Sequence, residues 1–251
     1  MNVHLLWKKE EIGDKMNEEK VAVVFDVLLA TSTIAACFFH GAKKVIPVLD
    51  EAEARSEAMN YSPEEVCLVG EYNGKTIDGF LDPYPLFLKH HVHGKTVILS
   101  TTNGTMAIRK SASARKVYIA SLLNGASVAQ ALRKEYKNET IVIVCSGSRN
   151  RFCLEDFYGA GYFIDYLVRN SGDDIVNLTD SARAAQLFYA NIGNQALPIL
   201  RQSHVGKMLE NVGLTEELEF VSQRNVVSAV PQYSHGIVVA EKVDNHQKMK
   251  K

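Results

Sequence analysis

The run Val21-Ala22-Val23-Val24-Phe25 is apolar at every position and stops at Asp26. With no polar residue alternating along it, neither face of this element can lie in water. A short run of this kind suits a strand inside a sheet covered on both sides. Such sheets are largely parallel, with helices as their crossovers. Asp26 then stands at the carboxyl end of a buried strand, where open α/β sheets bind ligands.

The same punctuation recurs down the chain. Val45-Ile46-Pro47-Val48, Val66-Cys67-Leu68-Val69, Thr96-Val97-Ile98-Leu99-Ser100, Lys116-Val117-Tyr118-Ile119-Ala120 and Thr140-Ile141-Val142-Ile143-Val144-Cys145 read as strands, with Ile237-Val238-Val239-Ala240 as a late one. Between them lie helical patterns. Thr31-Ser32-Thr33 reads as a cap for Ile34–Phe39, Asp50 as the cap of Glu51–Arg55, and Met106–Lys110 as a helix after a Thr-rich turn. Leu154, Phe157, Gly161, Ile164 and Val168 share one face of a helix over 154–169, and residues 180–223 read as several helices. The prediction is an α/β, layered fold with a substantially parallel or mixed sheet built from repeated βαβ-like units.

Two of these units end alike, Gly41-Ala42-Lys43-Lys44-Val45-Ile46 and Ser113-Ala114-Arg115-Lys116-Val117-Tyr118. Either a βαβ element is duplicated, giving two lobes, or helix ends simply favour lysine. No Pro/Gly/Ser-rich linker divides the 251 residues, so a single domain over 1–251 is expected.

Composition narrows the partners. The 28 basic and 29 acidic residues leave a net charge of −1, with no basic excess for nucleic acid. No apolar stretch approaches the roughly 18 residues of a membrane span. The first residues soon reach Lys8-Lys9, unlike a signal peptide. The four cysteines, at 37, 67, 145 and 153, form no C-x-x-C pair, which suits a reducing cytoplasm. A small-molecule partner is expected, with no nucleic acid and no membrane; homodimerisation is left open.

Polar clusters gather where strands end. They are Asp26 with Thr31-Ser32-Thr33, Gly70-Glu71, Thr101-Thr102-Asn103-Gly104-Thr105, and Ser146-Gly147-Ser148 followed by Glu155-Asp156. Hydroxyls, glycines and N–H groups at helix starts suit an anion, although the same residue types also cap helices everywhere. Carboxylates suit a hard cation such as Mg²⁺, which is usually held by one or two of them plus water and phosphate oxygens. Together they point to metal-assisted phosphoryl chemistry, with no substrate marked by their spacing.

Asp26-Val27-Leu28-Leu29-Ala30-Thr31-Ser32-Thr33-Ile34 resembles the D-V-L-R-A-T-T-T-I segment of the 2-phosphosulfolactate phosphatase family. Gly70-Glu71 with Gly79-Phe80, Thr101–Thr105, Ser121 with Asn124-Gly125-Ala126, and Gly147 with Phe152, Leu154-Glu155-Asp156 and Ala160-Gly161 follow in family order. Fainter echoes are Asp180-Ser181-Ala182, Ser203-His204-Val205-Gly206 and Val230-Pro231. The resemblance implies a Mg²⁺-dependent phosphatase converting 2-phosphosulfolactate to 3-sulfolactate and phosphate. Leu29 departs from the family's Arg, and Leu81-Asp82-Pro83-Tyr84-Pro85 replaces its G-N-S-P segment, so the alternative is a divergent, non-catalytic anion-binding protein or a phosphatase for a different small acidic phosphoester.

Assigned to positions, the expectation makes Asp26, Glu155 and Asp156 catalytic and Asp26, Glu71 and Asp156 metal ligands. Thr31, Ser32, Thr101, Thr102, Asn103, Gly104, Thr105, Gly147, Arg149 and Arg151 bind phosphate or substrate. The nucleophile stays open between a metal-activated water and Asp26 through an acyl phosphate. Cys145 and Arg151 have the C-x5-R spacing of thiol phosphatases, but Phe152 follows where those enzymes place Ser or Thr. His90-His91-Val92-His93 reads as an exposed turn and Lys248-Met249-Lys250-Lys251 as a solvated tail.

Overall fold

The computed structural model describes residues 1–13 and 16–242, so the lysine-rich tail at 248–251 lies outside the described residues. The strands are β1 (Asn2–Leu6), β2 (Lys20–Phe25), β3 (Lys44–Val48), β4 (Val66–Tyr72), β5 (Lys75–Thr76), β6 (Thr96–Ser100), β7 (Lys116–Ala120), β8 (Thr140–Cys145), β9 (Asn177–Leu178), β10 (Ala229–Ser234) and β11 (Ile237–Lys242). The helices are α1 (Ala30–Phe39), α2 (Glu51–Ala58), α3 (Gly104–Lys110), α4 (Gly125–Glu135), α5 (Leu154–Arg169), α6 (Asp180–Ile192), α7 (Ala196–Gln202), α8 (His204–Asn211) and α9 (Thr215–Val221). This is a mixed α/β fold on one large, mostly parallel sheet.

The sheet order is β5-β4-β6-β3-β11-β10-β7-β2-β8-β1-β9. β4, β6 and β3 form one parallel block. β7, β2, β8, β1 and β9 form another. The antiparallel hairpin β10–β11 joins them, with Tyr233 opposite Val117 and Val238 opposite Val45. Both units legible in the sequence cross this join: β2-α1-β3 leaves one block for the other, and β6-α3-β7 returns.

β2 behaves as its composition requires. Val21, Val23 and Phe25 feed one apolar cluster while Ala22 and Val24 feed another, and all five are 0% exposed. Burying a valine side chain contributes roughly 1.5–3 kcal/mol, so a charge at Val24 would break the second cluster. The start of α3, just after β6, packs against the end of β2 although four strands lie between β6 and β2 in the sheet. A Cβ on Gly104 would collide with Ala30 and lie 2.6 Å from Asp26 Oδ2, so only glycine lets α3 start there.

Helix starts differ from the sequence reading at one instructive place. Thr31, Ser32 and Thr33 lie inside α1, because Thr33 N donates to Leu29 O at 2.8 Å and begins the helical ladder earlier. Asp50 caps α2 as read, its carboxylate accepting from Glu53 N at 2.8 Å. Among the described residues, no helix is long and apolar enough to cross a membrane.

Candidate active site

A cavity of about 450 Å³ opens where the ends of β2, β4, β6 and β8 meet α8. Asp26, Glu71, Thr101, Thr102, Asn103, Arg149 and Arg151 line it. Thr31, Ser32, Gly104, Thr105, Gly147, Glu155 and Asp156 lie behind this lining. The chain thus brings its strand-end clusters to one place, but in two shells.

The outer group shapes loops. Thr31 Oγ1 accepts from Asp26 N at 3.1 Å and donates to Asp26 O at 2.9 Å. Ser32 Oγ donates to Val27 O, and Thr105 Oγ1 to Thr101 O. Each of these hydroxyls is committed to backbone close by in sequence, as capping residues are. Asp156 reaches further. Its Oδ1 accepts from Val27 N at 2.8 Å and its Oδ2 from Gly147 N at 3.1 Å, tying the ends of β2 and β8 to α5.

Glu71 ties a third strand end. Its Oε1 accepts from Thr102 N at 2.7 Å, and its Oε2 from Thr102 Oγ1 at 3.0 Å and Gly74 N at 2.7 Å. Asn73 N donates to Thr102 Oγ1 at 2.8 Å, and Arg149 Nη2 donates to Asn73 Oδ1 at 3.1 Å. The β4–β5 turn is therefore a fixed wall of the cavity, with its backbone amides already paired.

Asp26 on the cavity has two further acids, Glu155 and Asp156, buried close behind it. Burial raises the Asp26 carboxyl to about 6, opposed by the Ser146 hydroxyl and reinforced by the charge of Glu71. Burial raises Glu155 to about 7, against its own N–H and with the added repulsion of Asp26. Asp156 is raised by burial and then by Asp26 and Glu155, despite its two N–H donors.

One cation in this region escaped the sequence reading. Lys9 is only 6% exposed, and its Nζ donates to Asn103 Oδ1 at 2.9 Å, to Ser146 O at 3.4 Å, and pairs with Glu10 at 3.2 Å. In sequence it belongs to a charged stretch, Lys8-Lys9-Glu10-Glu11. Nothing local marked it as buried, because its partners come from residues 103 and 146.

The thiol alternative has no geometry. Cys145 is buried on β8, does not line the cavity, and its thiol is held well above the usual range by burial and by Asp156 and Glu155. His90 and His93 are exposed beside the 3-10 turn Phe87–His90, away from the cavity lining.

Among the described residues, no group of three or more His, Cys, Asp or Glu converges as a metal cage. Mg²⁺ does not need one, since one or two carboxylates with water and phosphate oxygens suffice. Asp26 and Glu71 offer hard oxygens on the same cavity, and each opposes the other's charge. A cation would relieve that repulsion, so the donor set fits a magnesium ion.

An α/β sheet with carboxylates, a Thr-rich loop and arginines around one cavity defines a protein that handles small anions. Residues 6–236 match the family model of 2-phosphosulpholactate phosphatase. A relative from Caldicellulosiruptor saccharolyticus, named probable 2-phosphosulfolactate phosphatase, is 38% identical over 239 residues, covering 93% of this chain and 96% of that one. One of the same name from Clostridium perfringens is 39% identical over 240 residues, covering 94% and 95%. Another, from Clostridium beijerinckii, is 31% identical over 243 residues, covering 96% and 100%. The chain belongs to the 2-phosphosulpholactate phosphatase family.

Proposed function

We propose that this protein is a Mg²⁺-assisted phosphatase of small 2-phospho acids, the activity on 2-phosphosulfolactate for which its relatives are named. The observation that carries this reading is Asp26: a buried carboxylate on the cavity, beside a second carboxylate and the Thr101–Asn103 loop, with arginines at the rim. Asp26 would hold the ion, with Glu71 next to it. When bound, Mg²⁺ would neutralise charge on the phosphate oxygens, the main need in monoester hydrolysis.

The chain's own groups set the stage. Thr101, Thr102 and Asn103 present the phosphate end of the cavity, and Lys9 steadies Asn103. Arg149 and Arg151 receive the acid group of the substrate, since a guanidinium pairs well with carboxylate or sulfonate. Asp156, Thr31, Ser32, Gly104, Thr105 and Gly147 act one layer back, by fixing the loops. Glu155 acts through its charge on Asp26. The crossing of both βαβ units between the two blocks supports a single domain, and four free, buried cysteines suit a cytoplasmic setting.

The test is phosphate release from 2-phosphosulfolactate against Mg²⁺ concentration. Turnover that rises with Mg²⁺, stops with EDTA and is lost in Asp26→Asn supports the reading. Equal turnover with EDTA in both proteins would refute the metal role.

A further inference from the structure

The cavity has a second character that phosphate chemistry does not use. Leu28, Leu29, Val205, Met208 and Leu209 line it as an apolar wall, with His204 beside them at the start of α8. Leu28, Leu29, Val205 and Leu209 belong to one apolar cluster, so the wall is built into the core. α8 is fixed there by its start: Ser203 Oγ accepts from Gly206 N at 3.0 Å and donates to Leu200 O at 2.8 Å. A Cβ on Gly74 would meet Met208 Sδ at 3.3 Å, so Met208 reaches across the cavity mouth to the β4–β5 turn. The cations on the lining come from elsewhere, chiefly Arg149 and Arg151 on the loop after β8.

A compact trianion has no use for such a wall. Charge placed against leucine, valine and methionine loses water and gains no partner. Apolar groups gain by the same contact. Resting on the phosphatase reading, the geometry points to a substrate whose organic half carries an apolar substituent: a 2-phospho carboxylic acid with an isobutyl- or benzyl-sized side chain. Its phosphate lies at Asp26 and the Thr101–Asn103 loop, its carboxylate at the arginines, and its side chain on α8 and Leu28-Leu29. Hydrolysis consumes one water, breaks the P–O ester bond, and yields phosphate and the 2-hydroxy acid.

The experiment compares kcat/KM for four 2-phospho acids, with methyl, isobutyl, benzyl and sulfomethyl side chains. The isobutyl or benzyl compound is expected to exceed the sulfomethyl one at least tenfold. Met208→Arg, at a position 38% exposed, places a cation on the wall and should cut that ratio tenfold or more. Met208→Gln, with an unchanged melting temperature as the check on folding, should cut it less than Met208→Arg. A preference for the sulfomethyl ester, or a ratio that neither variant moves, overturns the inference. If no ester releases phosphate, the phosphatase reading fails, and calorimetry with the phosphate-free acids decides the wall alone. Tighter binding of 3-phenyllactate than of 3-sulfolactate then supports it, and the reverse refutes it.

Discussion

Asp26→Asn should stabilise the metal-free protein while removing the Mg²⁺-assisted turnover proposed above. The wild-type carboxyl is buried and raised to about 6, whereas the unfolded chain ionises near its ordinary value of 3.8. The gap is about 2.2 pH units, worth about 3 kcal/mol at 1.36 kcal/mol each. A raised carboxyl favours folding only while protonated. Its contribution is full below pH about 4 and is lost as pH rises through about 6. Asparagine keeps the size and removes the charge. The gain above pH 7 is about 3 kcal/mol, or roughly 6–12 °C in melting temperature for a chain of this length. The assay is thermal melting in EDTA from pH 4 to 8, then with Mg²⁺. The mutant should melt higher at pH 8, lose its advantage by pH 4, and gain nothing from the metal. A mutant that melts no higher at pH 8, or an advantage independent of pH, would refute this reasoning.

Asp156→Ala leaves the Val27 and Gly147 amides buried without an acceptor, each costing about 1–3 kcal/mol; urea unfolding should show a net loss of roughly 2–4 kcal/mol after relief of acid repulsion. Lys9→Met removes the cation that favours ionised Asp26, so the acid limb of the kcat/KM profile should move to higher pH. At pH 6 the loss should be about two- to threefold, and smaller at pH 8; an unshifted limb would leave Lys9 a purely structural role.

What the sequence disclosed follows from how local each signal is. β2 and α5 were legible because burial on both faces and a helical face are written in consecutive residues. β1 was not, since Asn2–Leu6 precedes a charged stretch and its pairing partners Thr140–Val144 are far along the chain. β10 carries Pro231 within a strand, which blurs its pattern. α4 begins at Gly125 with small residues, and only its later turn shows a face. The strand-end clusters located the cavity, yet sequence spacing did not separate the residues that face it from those that cap loops. That distinction depends on the three-dimensional packing of the loops around the cavity. Lys9 and the α8 wall were invisible because their neighbours lie far along the chain.

The position of β1 also shapes how the chain reaches its native state during synthesis. Asn2 pairs with Thr140 and Leu6 with Val144, so β1 has no β8 partner until nearly 140 residues later. At about 5–20 residues per second, that strand waits roughly 7–30 s on the ribosome. β2 waits almost as long for β8, and its apolar run is the segment with most to hide. Nascent chains of this protein should therefore be held by chaperones until residue 145 has emerged, and translation pauses before that point should favour aggregation.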